Sequence, residues 1–339
     1  MIRAGRIAGA AALLLALMSV PPYPVLADAP EIRLARQTSM GYLQFNVMEH
    51  QQLIEKHARA LGVPEIKVSW TTLNGPGVMN DALISGSIDV VAGGVPGLLT
   101  LWARTQGTPQ EVRGICALSS QPFLLNTRSP AVKTLADFGS GDRIALPAVK
   151  VSVQAVVLEM AAARQFGAEH FSRLDSLTVS MSPPDATVAL LSGAGDIDAV
   201  FGVPPYQQQQ LQHPGIRTVL NSFDVMDGPH TFTVAWTSAR FRERNPVLYK
   251  ALLAALRDAT AIVNQDRRAA AALWIEDVHS KLALDFAAGV VSGPQVRWTM
   301  VPENTMKFAT FMHGVGSLKS APASWKDYFF PEIHDVSGS

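Results

Sequence analysis

The stretch Ala82-Leu83-Ile84-Ser85-Gly86-Ser87-Ile88-Asp89-Val90-Val91, running on to Gly94-Val95-Pro96, has a second copy downstream. That copy reads Ala189-Leu190-Leu191-Ser192-Gly193, then Ile197-Asp198-Ala199-Val200 and Gly202-Val203-Pro204. In each, an apolar helical stretch ends at Ser-Gly, where glycine can take the positive φ of a helix C-cap. A short apolar run bounded by Asp and Gly-x-Pro follows, and it reads as a buried strand leading into a new helix. The two Asp residues lie 109 positions apart, far beyond the roughly 20 to 50 residues of a solenoid repeat. The unit that repeats is therefore an α/β lobe, and two lobes imply a cleft between them.

Strand and helix patterns alternate outward from both copies. Residues 32 to 38 read as an opening strand, Leu43 to Leu61 as one helix ended by Gly62, and Ile66 to Thr71 as a strand before the turn Asn74-Gly75-Pro76-Gly77. Val112 to Leu118 is a further strand, after which the chain runs extended through Gln121 to Leu125. A new unit starts at Ser129-Pro130, with strands at Arg143 to Pro147 and Ser176 to Met181 and helices at Val151 to Phe166 and Pro184 to Leu191. Beyond Asp227-Gly228-Pro229, Thr231 to Thr237 is a strand and Pro246 to Asn264 a long helix. Such alternation predicts an α/β protein with mainly parallel sheets and crossover helices, and it excludes a β-sandwich.

Arg3 and Arg6 precede an apolar run from Ile7 to Val20, then three prolines and Val25-Leu26-Ala27. This is the pattern of a secretory signal peptide over residues 1–27 with cleavage after Ala27, and the run is shorter than the roughly 20 residues of a bilayer span. No cysteine adjoins the junction, so a lipid anchor is not expected. Of 339 residues, 48% are hydrophobic, enough for two sizeable cores. Removing Arg3 and Arg6 leaves 26 basic against 28 acidic residues, a balance that argues against nucleic acid as a partner. Cys116, the single cysteine, sits in an apolar strand and reads as a buried structural thiol. The eight histidines show no i, i+4 pair, so no metal site or other cofactor is expected.

The two repeated phrases, the stretch Ser129-Pro130-Ala131-Val132-Lys133-Thr134-Leu135-Ala136-Asp137-Phe138 with Arg143-Ile144-Ala145-Leu146-Pro147 behind it, and the tail Pro322-Ala323-Ser324-Trp325-Lys326-Asp327-Tyr328-Phe329-Phe330 resemble the nitrate/sulfonate/taurine family of ABC-transporter solute-binding proteins. The resemblance implies a type II periplasmic-binding fold, with lobe 1 built from residues 28–123 and 228–339 and lobe 2 from 124–227. It further implies two extended crossings near Ser120 to Leu124 and Met226 to Thr231. The implied function is that of a monomeric periplasmic receptor that hands a small solute, expected to be a sulfonate, a taurine-like molecule or a carboxylate, to an ABC permease and its ATPase.

In open α/β sheets, ligands collect at the carboxyl ends of strands, where helix N-termini converge. The expected binding residues are therefore Ser39, Tyr42, Asn74, Gly94 and Gln121 from the first lobe, Lys150, Ser152 and Phe201 from the second, and His230 beside the second crossing. Ser39 and Ser152 also suit plain helix N-caps. Lys150 would pair its ammonium with a helix N-terminus to hold an anion. Two other functions compete. A thiamine-pyrimidine enzyme of the wider family would carry a cysteine-rich motif, and a transcription regulator would place a helix-turn-helix ahead of the lobes; neither feature is read here.

Overall fold

The computed structural model describes residues 30–73, 75–193 and 196–339; the expected signal peptide and Asn74 lie outside them. The chain runs through β1 (Glu31–Arg36), α1 (Leu43–His50), α2 (Leu53–Ala60), β2 (Lys67–Thr72), α3 (Pro76–Ser85), β3 (Val90–Gly94), α4 (Val95–Thr105) and β4 (Val112–Ser120). The next elements are β5 (Leu124–Thr127), β6 (Ile144–Leu146), α5 (Val153–Phe166), β7 (Thr178–Ser180), α6 (Pro183–Ser192), β8 (Ala199–Phe201), α7 (Tyr206–Leu211), β9 (Arg217–Asn221) and α8 (Ser222–Val225). Last come β10 (Thr231–Ser238), α9 (Ala239–Arg244), α10 (Pro246–Gln265), α11 (Arg267–Asp277), α12 (Leu284–Val291), β11 (Arg297–Trp298) and α13 (Thr305–Gly314).

Two sheets result, in the orders β11-β4-β10-β3-β1-β2 and β7-β6-β8-β5-β9. The chain leaves the first sheet after β4, enters the second at β5, and returns from β9 to the first at β10. Within each repeat unit the pairing is parallel: β1 with β2 and β3, β6 with β7 and β8. The first strand after each crossing, β5 or β10, enters from the opposite direction and pairs antiparallel with both its neighbours. The sheets are therefore mixed, where mainly parallel ones were expected.

The repeated phrase does the same structural work twice. Gly86 (φ 76°) and Gly193 (φ 64°) end α3 and α6 in the left-handed conformation that glycine adopts without strain. Asp89 then accepts the backbone N–H of Arg33 at 2.9 Å while donating its own to Arg33 O. Asp198 repeats this with Arg143, at 3.0 Å in both directions. Each aspartate thus fixes the register of its strand beside the lobe's first strand, Leu34 opposite Val90 and Ile144 opposite Ala199. Only Asp89 also takes the arginine's guanidinium, at 2.9 and 2.8 Å; the Arg143 guanidinium turns to the carbonyls of Ser140 and Asp142.

The single helix expected over Leu43 to Leu61 is two, because Gln52 adopts φ 51° between α1 and α2. The bend lets α1 pack on α10 and α11 while α2 packs on α10, so tertiary burial overrides local continuity. The short strand β9 and helix α13 carry too little periodicity to be read in advance.

Candidate ligand-binding site

Between the sheets lies a cavity of about 230 Å³, smaller than the roughly 300 Å³ at which drug-sized pockets begin. Four helix N-termini border it: Gly75 and Pro76 of α3, Gly94 and Gly97 of α4, Ser152 to Gln154 of α5, and Ser182 and Pro183 of α6. All its lining side chains among the described residues are uncharged. The four ends are chemically unequal. Pro76, Pro96, Pro183 and Pro184 remove N–H groups from the first turns of α3, α4 and α6. At α6 the Asp185 carboxylate also accepts the Ser182 hydroxyl proton at 2.5 Å, so its own anion occupies that end. At α5, Ser152 caps the Ala155 amide at 3.2 Å, and the amides of Val153 and Gln154 keep no protein acceptor. The start of α5 therefore keeps two consecutive amide donors beside the cavity, an arrangement that suits an anion.

One wall is aromatic. Tyr42 and Phe232 face the cavity with ring centroids 6.4 Å apart. Phe232 packs edge-on against Phe123 of the first crossing at 4.7 Å. Tyr42 is 3% exposed, and burial pushes its phenol pKa up, so it stays neutral. Ser39 lines the cavity and is tied to its far side: its hydroxyl donates to Pro204 O at 2.9 Å, and the Met40 amide donates to the same oxygen at 3.1 Å. A Cβ placed on Gly94 would lie 3.1 Å from the Val153 Cβ, so α4 and α5 touch across the cleft.

Of the residues expected from sequence, Ser39, Tyr42, Gly94 and Ser152 come together here, and Asn74 lies outside the described residues. Four are placed elsewhere. Gln121 is buried, donates to Ser119 Oγ at 3.1 Å and borders a separate groove against α12. Phe201 is wholly buried against Phe123 as core. Lys150 is exposed and outside the lining; its positive charge lowers the carboxyl pKa values of Glu159 and Asp175, against the larger effect of their burial. His230 is wholly buried behind the aromatic wall, among Phe123, Phe223 and Phe308. Thr231 O can only accept, so His230 Nδ1 carries the proton donated to it; in the neutral ring Nε2 then accepts the Ser222 hydroxyl proton at 2.8 Å, while Ser222 Oγ accepts the Phe123 N–H, also at 2.8 Å. Burial lowers the His230 pKa to about 4. It is a neutral structural histidine beside the second crossing.

Phe232, Val203, Val153 and Gln154 line the cavity without having been nominated. Val153 and Gln154 follow Ser152 directly, and first-turn amides were the readable signal there. Cys116 is buried, with its thiol pKa pushed up by desolvation. Among the described residues no group of three or more His, Cys, Asp or Glu could hold a metal ion, and no helix is long and apolar enough to cross a membrane.

Two α/β layers joined by two crossings and meeting on a small cavity at helix N-termini give the two-lobed architecture of the periplasmic-binding fold. The chain belongs to the NMT1-like family, whose profile matches residues 28–276. It is 26% identical over 259 residues to an aliphatic sulfonates-binding protein of Escherichia coli (strain K12), covering 76% of this chain and 75% of that one. Among solved structures, the alkanesulfonate-binding protein of Xanthomonas axonopodis pv. citri bound to MOPS shares the fold with a TM-score of 0.67 at 18% identity, over 87% of this chain and 96% of that one. The periplasmic nitrate-binding protein of Synechocystis PCC 6803 does so with a TM-score of 0.67 at 15% identity, over 89% and 84%. These relatives are solute-binding proteins, which favours a binding role over an enzymatic one.

Proposed function

We propose that the chain is the extracytoplasmic receptor of an ABC importer, capturing one small organic anion, a sulfonate, taurine-like molecule or carboxylate, and delivering it to the permease. The observation that carries this reading is the α5 N-terminus, whose Val153 and Gln154 amides face an uncharged cavity without protein acceptors. An oxyanion there would accept both N–H groups and gain from the helix dipole. Tyr42, Phe232 and Val203 would cover the organic part of the solute. In this reading residues 1–27 are removed on export, 28–123 with 228–339 form one lobe, 124–227 form the other, and the mature protein is a periplasmic monomer.

The aromatic wall favours a second reading, a thiamine-related pyrimidine lying against Tyr42 and Phe232. Isothermal titration with butanesulfonate, taurine, pentanoate and an aminopyrimidine separates the two. The proposal expects at least one anion to bind and to raise the melting temperature; binding of the pyrimidine alone would replace it with the second reading.

A further inference from the structure

The hydrogen bonds from Ser39 and Met40 to Pro204 O join elements of different sheets: Ser39 follows β1 of the first, and Pro204 lies between β8 and α7 of the second. We infer that Ser39 is a positioning residue that latches the lobes shut, acting on the solute through closure and not by donating to it. A serine hydroxyl has one proton, and in Ser39 it is given to Pro204 O. The oxygen already accepts the Gly41 amide at 3.0 Å as the cap of the turn at 40–42. Ser39 is 5% exposed, so the bond is shielded from water. By contrast, the ion pairs of Asp227 with Arg164 at 3.1 Å and Lys307 at 3.6 Å, near the second crossing, involve side chains 40% to 63% exposed, where ion pairs contribute little. Observed affinity scales with the fraction of molecules in the competent, closed state, so a residue that sets this fraction governs binding of any solute the cleft accepts.

The contact between Gly94 and Val153 provides a test that needs no ligand. Gly94 has φ −77° and can carry a side chain, and a Cβ there lies 3.1 Å from that of Val153, a few tenths of an ångström short of the roughly 3.5–4.5 Å of a disulfide. In the full chain carrying Gly94→Cys and Val153→Cys, glutathione disulfide would oxidise the two thiols to a cross-link and be reduced to two glutathione thiols. The cross-linking rate then follows the closed fraction, with the buried Cys116 uninvolved. Adding Ser39→Ala should slow the reaction about threefold to tenfold, the equivalent of one net hydrogen bond. Ser39→Asp keeps the cap for Gly41 but has no proton for Pro204, and it should slow the reaction as well. Ser39→Thr, which keeps the hydroxyl, should restore it. Thermal melts of the reduced proteins verify that each variant is folded. If Ser39→Ala and Ser39→Asp both cross-link at the parent rate, or if Ser39→Asp alone does so, the latch is refuted and Ser39 is only a cap.

Discussion

Glu159 and His230 make stability respond to pH in opposite senses. Glu159, on α5, is 7% exposed and has no ion pair among the described residues; burial, with the nearby charge of Asp175, raises its pKa from 4.5 to about 7. The folded protein therefore holds its proton more tightly than the unfolded chain. The resulting stability is complete below about pH 4.5 and is lost as the pH rises through 7. His230 has the reverse sign: with a folded pKa of about 4 against 6.5, its contribution is complete above 6.5 and is lost as the pH falls towards 4. Glu159→Gln keeps the shape and removes the titrating proton. The melting temperature at pH 8 minus that at pH 5 should be more positive in this variant than in the parent, by the equivalent of at most about 3 kcal/mol, because the His230 contribution that favours the higher pH is then no longer offset. An unchanged gap would mean that Glu159 is ionised at no cost in the folded state.

At the scale of elements, α5 is the helix on which the anion reading turns, and proline can test it because it is accepted at N1. Val153 is the N1 residue, and Ser152 before it is extended at ψ 158°, a backbone that suits a following proline. Val153→Pro should fold, lose one amide donor and weaken an anionic ligand about tenfold or more, since hydrogen bonds to charged groups contribute about 1.5–3 kcal/mol. Calorimetry showing full affinity would move the anion away from α5. The elements that framed this helix were legible because each phrase joins a Ser-Gly C-cap to a buried strand. The sequence holds a further pair: Arg33-Leu34-Ala35 and Arg143-Ile144-Ala145 differ only in Leu against Ile, and their arginines partner the repeated aspartates. The strand β9, Arg-Thr-Val-Leu-Asn, carries no such mark. Its place follows from pairing with β5, a tertiary choice that local pattern does not encode.

On the whole molecule, sequence located the loops of the cleft better than the side chains facing it. Ser39, Tyr42, Gly94 and Ser152 line the cavity because helix starts at strand ends point inward in any doubly layered α/β lobe. Lys150 and His230 lie in the expected loops, yet their side chains are placed elsewhere: Lys150 is exposed outside the lining, and His230 is buried among three phenylalanines, Phe123 and Phe308 of them distant in sequence. Phe232 shows the converse, an apolar residue that forms wall because it starts β10 where the chain re-enters the first sheet. The geometry is that of closed lobes, with the α4 and α5 starts in contact and Pro204 held from the opposite side. A solute reaching the cavity through that contact requires the lobes to part, and the two crossings are the segments able to absorb the rotation. Small-angle scattering should therefore give a larger radius of gyration for ligand-free protein than this closed form has, falling to its value when a bound anion saturates the cleft. A radius that is already closed without ligand and does not change on saturation would show that entry proceeds by local loop motion, with the lobes fixed.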